Sequence, residues 1–242
     1  MCSFNSDTPP VYDEDREVIP ALPESGRNNN QGMEGLTASP DGNTLYILMQ
    51  SALIQDGGSS SSRRRLARFL TYDISGRSPV HVAEHVVPLP IFNGTSGTRV
   101  AAQSEVLFIS PTQFLVLARD SDAGRGQEES LSLYRHADVF DISNATNVMS
   151  AANDAVNGTI ASAPGVLRAG IVPATYCSFL DFNTNSQLGR FGLHNGGEQD
   201  PGLLNEKWEG LAIASVLGDY GWDGEYFLFS FSDNDYITQD GK

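Results

Sequence analysis

An all-β fold is predicted: a partial β-propeller built of antiparallel four-stranded meander blades with long loop insertions. Three observations carry it. Apolar runs of strand length recur along the chain, as in Leu45–Met49, Leu66–Ile74, Val80–Leu89 and Gln113–Asp120. Turn residues separate them in a chain with 24 Gly and 12 Pro, which favours many short strands over long helices. A strand that opens on a glutamate and returns through a tight turn appears three times, at Glu34, Glu105 and Glu209.

Residues 1–32 are polar and proline-rich and read as an extended lead-in, with one edge strand around 17–22. Met33–Ser39 is a strand, and Pro40-Asp41-Gly42-Asn43 is a turn, since proline presets φ and Asp-Gly-Asn tolerates positive φ. Leu45–Met49 is solidly apolar, as in a strand buried on both faces. The hairpin brings Glu34 at its mouth beside Gln50 at its exit. A serine-rich loop, 56–65, leads into Leu66–Ile74, and Ser75–Pro79 turns the chain into Val80–Leu89. Four strands in succession make a meander.

The pattern returns. Ser104–Pro111, Gln113–Asp120 and Leu131–Ile142 follow, and Val139-Phe-Asp-Ile-Ser143 matches Thr71-Tyr-Asp-Ile-Ser75. A third, partial copy runs from Trp208–Ile213 to Glu225–Asp233. The glutamates are 71 and 104 residues apart, wider than the ~40–50 of compact propeller repeats, so long insertions lie between strands. The largest spans 151–205 and holds one apolar stretch, Cys177–Phe182. About two and a half blades in residues 33–242 fall short of the four or so that close a ring. Further blades are therefore expected before Met1 and after Lys242, or else an open sheet edge.

The formal net charge is −15, from 15 basic and 30 acidic side chains, and the only lysines are Lys207 and Lys242. Such a field repels phosphate backbones, so nucleic acid is not expected as a partner. The basic cluster Arg63-Arg64-Arg65 with Arg68 reads as a mobile loop tip entering a strand. No apolar run approaches the ~20 residues of a membrane span. Residues 1–32 contain no basic n-region or apolar h-region, so a secreted protein would need its true N-terminus upstream. Asn93, Asn144 and Asn157 stand in N-glycosylation sequons. Pairing of Cys2 and Cys177 and the oligomeric state are not given by the sequence.

Glu34-Gly-Leu with Ser39-Pro-Asp-Gly and Leu45–Gln50 resembles the secreted proteins called phytase-like, or "esterase-like activity of phytase", domains. So do Gln103-Ser-Glu105 with Phe114–Asp120, and Lys207-Trp-Glu209-Gly-Leu-Ala with Phe229–Asp235. Tyr134–Thr146 and Arg190–Gly197 bring it nearest the fungal branch. The resemblance covers roughly residues 28–240, and the chain looks like the C-terminal portion of such a domain. It implies hydrolysis of an ester or phosphoester bond in a small molecule.

If the blades stack radially, Glu34, Glu105, Glu209, Asp120 and Asp233 converge on one rim. Carboxylates so gathered favour a hard cation such as Ca²⁺ or a shifted pKa suited to acid–base work. Arg119 would orient a phosphate or carboxylate bidentately. Alternatively, each glutamate accepts hydrogen bonds from backbone amides or pairs with Arg119, pinning one blade to the next. Asp120-Ser-Asp122 and Asp233-Asn-Asp235 have D-x-D spacing and are candidate Ca²⁺ ligands, though without the rest of an EF-hand loop. His81 and His85 alternate onto one strand face without a third zinc ligand. His194, in a glycine-rich loop, is a candidate general acid or base. No Gly-x-Ser-x-Gly elbow, P-loop, dinucleotide fingerprint or CxxC pair is present. Two functions remain open: a secreted ester or phosphoester hydrolase, or a non-catalytic propeller binding a ligand, cation or protein at its acidic rim.

Overall fold

The structure, a computed structural model, describes residues 23–95, 97–120, 123–216 and 224–233. The expected edge strand at 17–22, Cys2, Asp122 and Asp235 lie outside the described residues. The protein is all-β. Its strands are β1 (Met33–Ala38), β2 (Thr44–Met49), β3 (Leu66–Asp73), β4 (Val80–Pro88), β5 (Ile91–Gly94), β6 (Gly97–Val100), β7 (Ala102–Phe108), β8 (Gln113–Arg119), β9 (Arg135–Asp141), β10 (Ala161–Ala163), β11 (Val166–Leu167), β12 (Thr175–Asp181), β13 (Lys207–Ser215) and β14 (Tyr226–Asp233).

They form two four-stranded antiparallel sheets, ordered β1-β2-β3-β4 and β12-β9-β8-β7, and the hairpins β5-β6, β10-β11 and β13-β14. The apolar stretch in the long insertion is the fourth strand of the second sheet. Among the described residues, no sheet closes on itself. The two small hairpins, β5-β6 and β10-β11, carry too little apolar pattern to stand out in the sequence.

The first hairpin turns as its sequence requires. Gly42 takes a φ of 71°, its amide donates to Ser39 O at 2.9 Å, and the Asp41 carboxylate accepts from the Asn43 amide at 3.1 Å. Alternation then assigns the strand faces. Tyr46, Phe69, Phe108, Phe114 and Phe140 meet between the two large sheets, with Phe69–Phe114 and Phe114–Phe140 centroids 4.7 and 5.2 Å apart. On the opposite face of the second sheet, Leu115, Leu117 and Ala137 pack against Leu211, Trp208 and Leu228 of the third hairpin. A one-residue slip in β8 would exchange these two cores.

Contrary to the loop-tip expectation, Arg68 is wholly buried. Its guanidinium bonds Asp56 at 2.9 Å and Glu84 at 3.0 Å and donates to the carbonyls of Asn153 and Gly158. Asp56 also accepts from Thr159 Oγ1 and the Ile160 amide. The segment after β9 is thereby tied to the first sheet. It runs along edge strand β4, through Val148 N to Glu84 O and Ala174 N to Val86 O, both 2.8 Å, and so covers that edge.

Candidate functional site: a cleft at three bulged hairpin mouths

The three glutamate-opened hairpins meet side by side, and each carries a β-bulge at its mouth. The register shifts between Met33 and Gly35, between Gln103 and Glu105, and between Trp208 and Gly210. The extra residues are Glu34, Ser104 and Glu209. A bulge re-aims a side chain away from the regular pleat, and here all three bulge residues line one cleft of about 520 Å³. The next register position pairs Gln50 with Gly32, Arg119 with Ala102, and Asp233 with Lys207. Gln50, Arg119 and Lys207 also line the cleft, as do Gln103, Arg64 and Glu206.

Structural equivalence therefore runs Glu34, Ser104, Glu209. Glu105 is shifted by one residue from the position that matching glutamates would give it. Its carboxylate accepts from the Val106 amide at 2.8 Å and from the Leu36 amide, stapling β7 to β1. Burial raises its pKa, with Glu34 adding to the rise and the two amides opposing it. The close approach of β1 and β7 also explains the glycine after Glu34. A Cβ on Gly35 would lie 2.9 Å from both Gln103 Oε1 and Val106 Cγ1.

Arg119 is nearly enclosed. It bonds Glu209 at 2.8 Å and donates from Nε to Trp208 O at 3.0 Å, while Ser104 Oγ reaches the same carbonyl at 2.8 Å. Lys207 Nζ stands 3.5 Å from Glu209 and 3.9 Å from Asp233. Glu34 opens to the cleft yet is half surrounded by protein. Burial pushes its pKa up, Glu209 pushes it further, and Arg119 and Lys207 pull it back. Gln50 Oε1 and Gln103 Oε1 are buried and accept no hydrogen bond among the described residues.

Other candidates fall elsewhere. Asp120 is not on the cleft wall; it accepts from Ser132 Oγ at 2.7 Å and from the Leu133 and Tyr134 amides, anchoring the loop that follows it. His194 lies in an exposed loop, bonded to Gly196 O at 2.7 Å and Asp200 at 3.0 Å. His81 and His85 do not share a face, because β4 has a bulge between them. Asn93, Asn144 and Asn157 are all exposed, as is Cys177, which forms no disulfide among the described residues. His136 lies 3.2 Å from Ser178 Oγ and 3.6 Å from Asp181, an arrangement with the parts of a hydrolase triad. The buried Asp138 carboxylate lies 3.3 Å from the same Nδ1, so Ser178 shares that nitrogen with a carboxylate acceptor.

Sequence reasoning missed Ser104, Lys207 and Gln103 as cleft residues. The signal that finds them is the bulge, a backbone property that the glutamate spacing does not report.

Comparison with known proteins identifies a family. The phytase-like family, described as "esterase-like activity of phytase", matches residues 5–236. A protein of Arthroderma benhamiae described as an uncharacterized secreted protein is 52% identical over 251 residues, covering 99% of this chain and 49% of that protein. The chain thus spans about half the length of this curated relative. No solved structure matches the chain significantly. With nearly its whole length matched, the chain belongs to the phytase-like family.

Proposed function

We propose that the cleft at the three hairpin mouths hydrolyses ester or phosphoester bonds of a small anionic substrate, with Glu34 as general base. One observation carries this reading. Glu34 is the cleft carboxylate whose pKa is pushed up, and it lies within the field of Arg119 and Lys207. Ionised Glu34 takes a proton from water as the water oxygen attacks carbon or phosphorus. The developing oxyanion faces the Lys207 and Arg119 cations. The leaving alkoxide then departs as the alcohol, with the proton that Glu34 returns. The Arg119–Glu209 pair fixes the walls, which adapts the pinning role read from the sequence to a site with one working carboxylate.

Ca²⁺ fits as an aid to substrate binding. Gln50 Oε1 and Gln103 Oε1 are oxygen donors of the kind this ion takes, and both lack partners among the described residues, which leaves Glu34 to act as the base. The two sheets and the third hairpin read as successive propeller blades in a secreted, glycosylated parent. The secreted relative, the exposed sequons and the exposed stripe of Phe227, Phe229 and Phe231 on β14, suited to a further sheet, support that placement.

The test is hydrolysis of p-nitrophenyl acetate, p-nitrophenyl phosphate and phytate, with and without Ca²⁺. Glu34→Gln is expected to lower kcat by roughly 10²–10⁴ with an unchanged melting curve. Activity falls as pH drops through the Glu34 pKa, so the acid limb lies above the ordinary 4.5. Full activity in Glu34→Gln overturns the assignment. The competing reading, a non-catalytic binding rim, is favoured by the mutual satisfaction of Arg119 and Glu209; ligand-dependent stabilisation without turnover would establish it.

A further inference from the structure

Away from the cleft, the first sheet presents a second cluster. The bulge in β4 pairs Leu70 with Glu84 and Thr71 with Ala83, but Tyr72 with His81. In a regular strand, residues 81 and 84 point to opposite faces; the extra residue brings them to the same one. The His81 ring stacks on Tyr72, centroids 5.1 Å apart, which fixes its plane. Asp154 arrives from the segment after β9, whose neighbouring Asn153 and Gly158 are held by Arg68. One ligand atom each from His81, Glu84 and Asp154 then lie within 4.8 Å of one another.

Glu84 is completely buried, and only its Oε1 is used, by Arg68. Its Oε2 and the Asp154 Oδ1 are buried without a hydrogen-bond partner among the described residues. Two carboxylates facing each other cannot donate to one another, so they need a shared proton or a cation. The surroundings lean to a cation. Arg68 already faces two carboxylates, Asp56 and Glu84, and Asp154 adds a third beside Glu84. The next cation along the segment, Arg168, is bonded to the Asn153 side chain.

We propose that His81, Glu84 and Asp154 bind a divalent transition-metal ion of the Zn²⁺ or Mn²⁺ type, which clamps the 143–174 segment onto edge strand β4. The imidazole is what selects this class: Ca²⁺ and Mg²⁺ sites are built of oxygen donors, whereas one nitrogen with two carboxylates suits borderline Zn²⁺ first and the harder Mn²⁺ second. Ligand atoms on tetrahedral zinc stand about 3.4 Å apart, as follows from bonds of ~2.1 Å. Contraction from the observed spacing is a matter of side-chain rotation, with Asp154 on a loop able to follow. Three protein ligands leave one position for water.

The test uses the full chain, stripped with EDTA and titrated with ZnCl₂, MnCl₂ or CaCl₂ while heat uptake and melting are followed. One Zn²⁺ or Mn²⁺ per chain is expected, with Tm raised by roughly 5–10 °C at a hundredfold excess over Kd. Asp154→Asn and His81→Gln each abolish this uptake and shift. A Ca²⁺ response that both substitutions leave intact belongs to the cleft and not to this cluster, and is the expected pattern if Ca²⁺ acts at all. One-to-one uptake unchanged in both variants, or a Ca²⁺ response that they remove, overturns the proposal. The unsubstituted chain also decides alone: no stoichiometric Zn²⁺ or Mn²⁺ uptake means that Glu84 and Asp154 share a proton, and the proposal fails.

Discussion

Arg68 and Arg119 are built from the same parts and serve different ends. Each guanidinium bonds carboxylates and backbone carbonyls at about 3 Å. Arg68 and both its acidic partners are shut away from solvent, whereas Arg119 keeps a sliver of exposure and its partner Glu209 is 29% exposed at the mouth of a cleft. In the interior, removing either member of an ion pair strands a buried charge, so the Arg68 pairs act as a rivet. At the cleft, water and a ligand can compete for the same donors. Access to solvent, not residue type, separates a structural cluster from a chemical one.

The sharpest way to break that contrast is to remove each arginine. Arg68→Leu leaves Asp56 and Glu84 buried without their cation and is expected to cost about 3–5 kcal/mol, read from the urea midpoint. Loss below about 1 kcal/mol would show that the buried network is replaceable. Gly35→Ala is expected to cost about 1–3 kcal/mol, because its Cβ meets the Val106 and Gln103 atoms at 2.9 Å and forces β1 from β7. It should lower activity as well, since Glu34 rides on the same bulge. Wild-type stability in the Gly35→Ala chain would mean that the hairpin mouths are not tightly set.

Arg119→Leu should cost only about 1–2 kcal/mol, as its partner is partly solvated. Its effect on chemistry is more telling. Arg119 draws the Glu34 pKa down, so its removal lets burial and Glu209 raise that pKa further. The acid limb of the pH–rate profile is expected to move upward. A limb that stays in place would detach Glu34 from the catalytic reading.

Much of the scaffold was legible. Pro40-Asp41-Gly42-Asn43 specified a turn by local chemistry, and the solid apolar run Leu45–Met49 specified a strand buried on both faces, with Tyr46 and Leu48 in one core and Ile47 and Met49 in another. Bulges were not legible, because an extra residue leaves no local mark in composition. That one omission displaced Glu105 into the place of Ser104 and set His81 with His85 when it belongs with Glu84. Arg68 was lost for another reason. Its position beside Arg63–Arg65 suggested a common surface, but burial was decided by Asp56 and a loop some 90 residues downstream, which no local pattern contains.

His194 completes the gradient at its exposed end. Its ring is held by Asp200 and by the Gly196 carbonyl, and Asp200 also accepts from the Gly202 amide. Those bonds raise the His194 pKa and lower that of Asp200. The raised histidine stabilises its loop fully below pH 6.5, an effect lost as pH rises through the folded value. The lowered aspartate acts above pH 3.8 and is lost as pH falls below it. Protection of the Leu204 amide, which donates to His194 O, should therefore peak between those limits and weaken as pH rises through the raised His194 pKa. The effect should be the smallest of the series, because both groups are solvated and the pair is screened by salt. In His194→Ala the peak should flatten while Tm and activity stay near wild type. A large loss of activity would instead place this loop within the working site, and the ordering of the three cation clusters by burial would no longer hold.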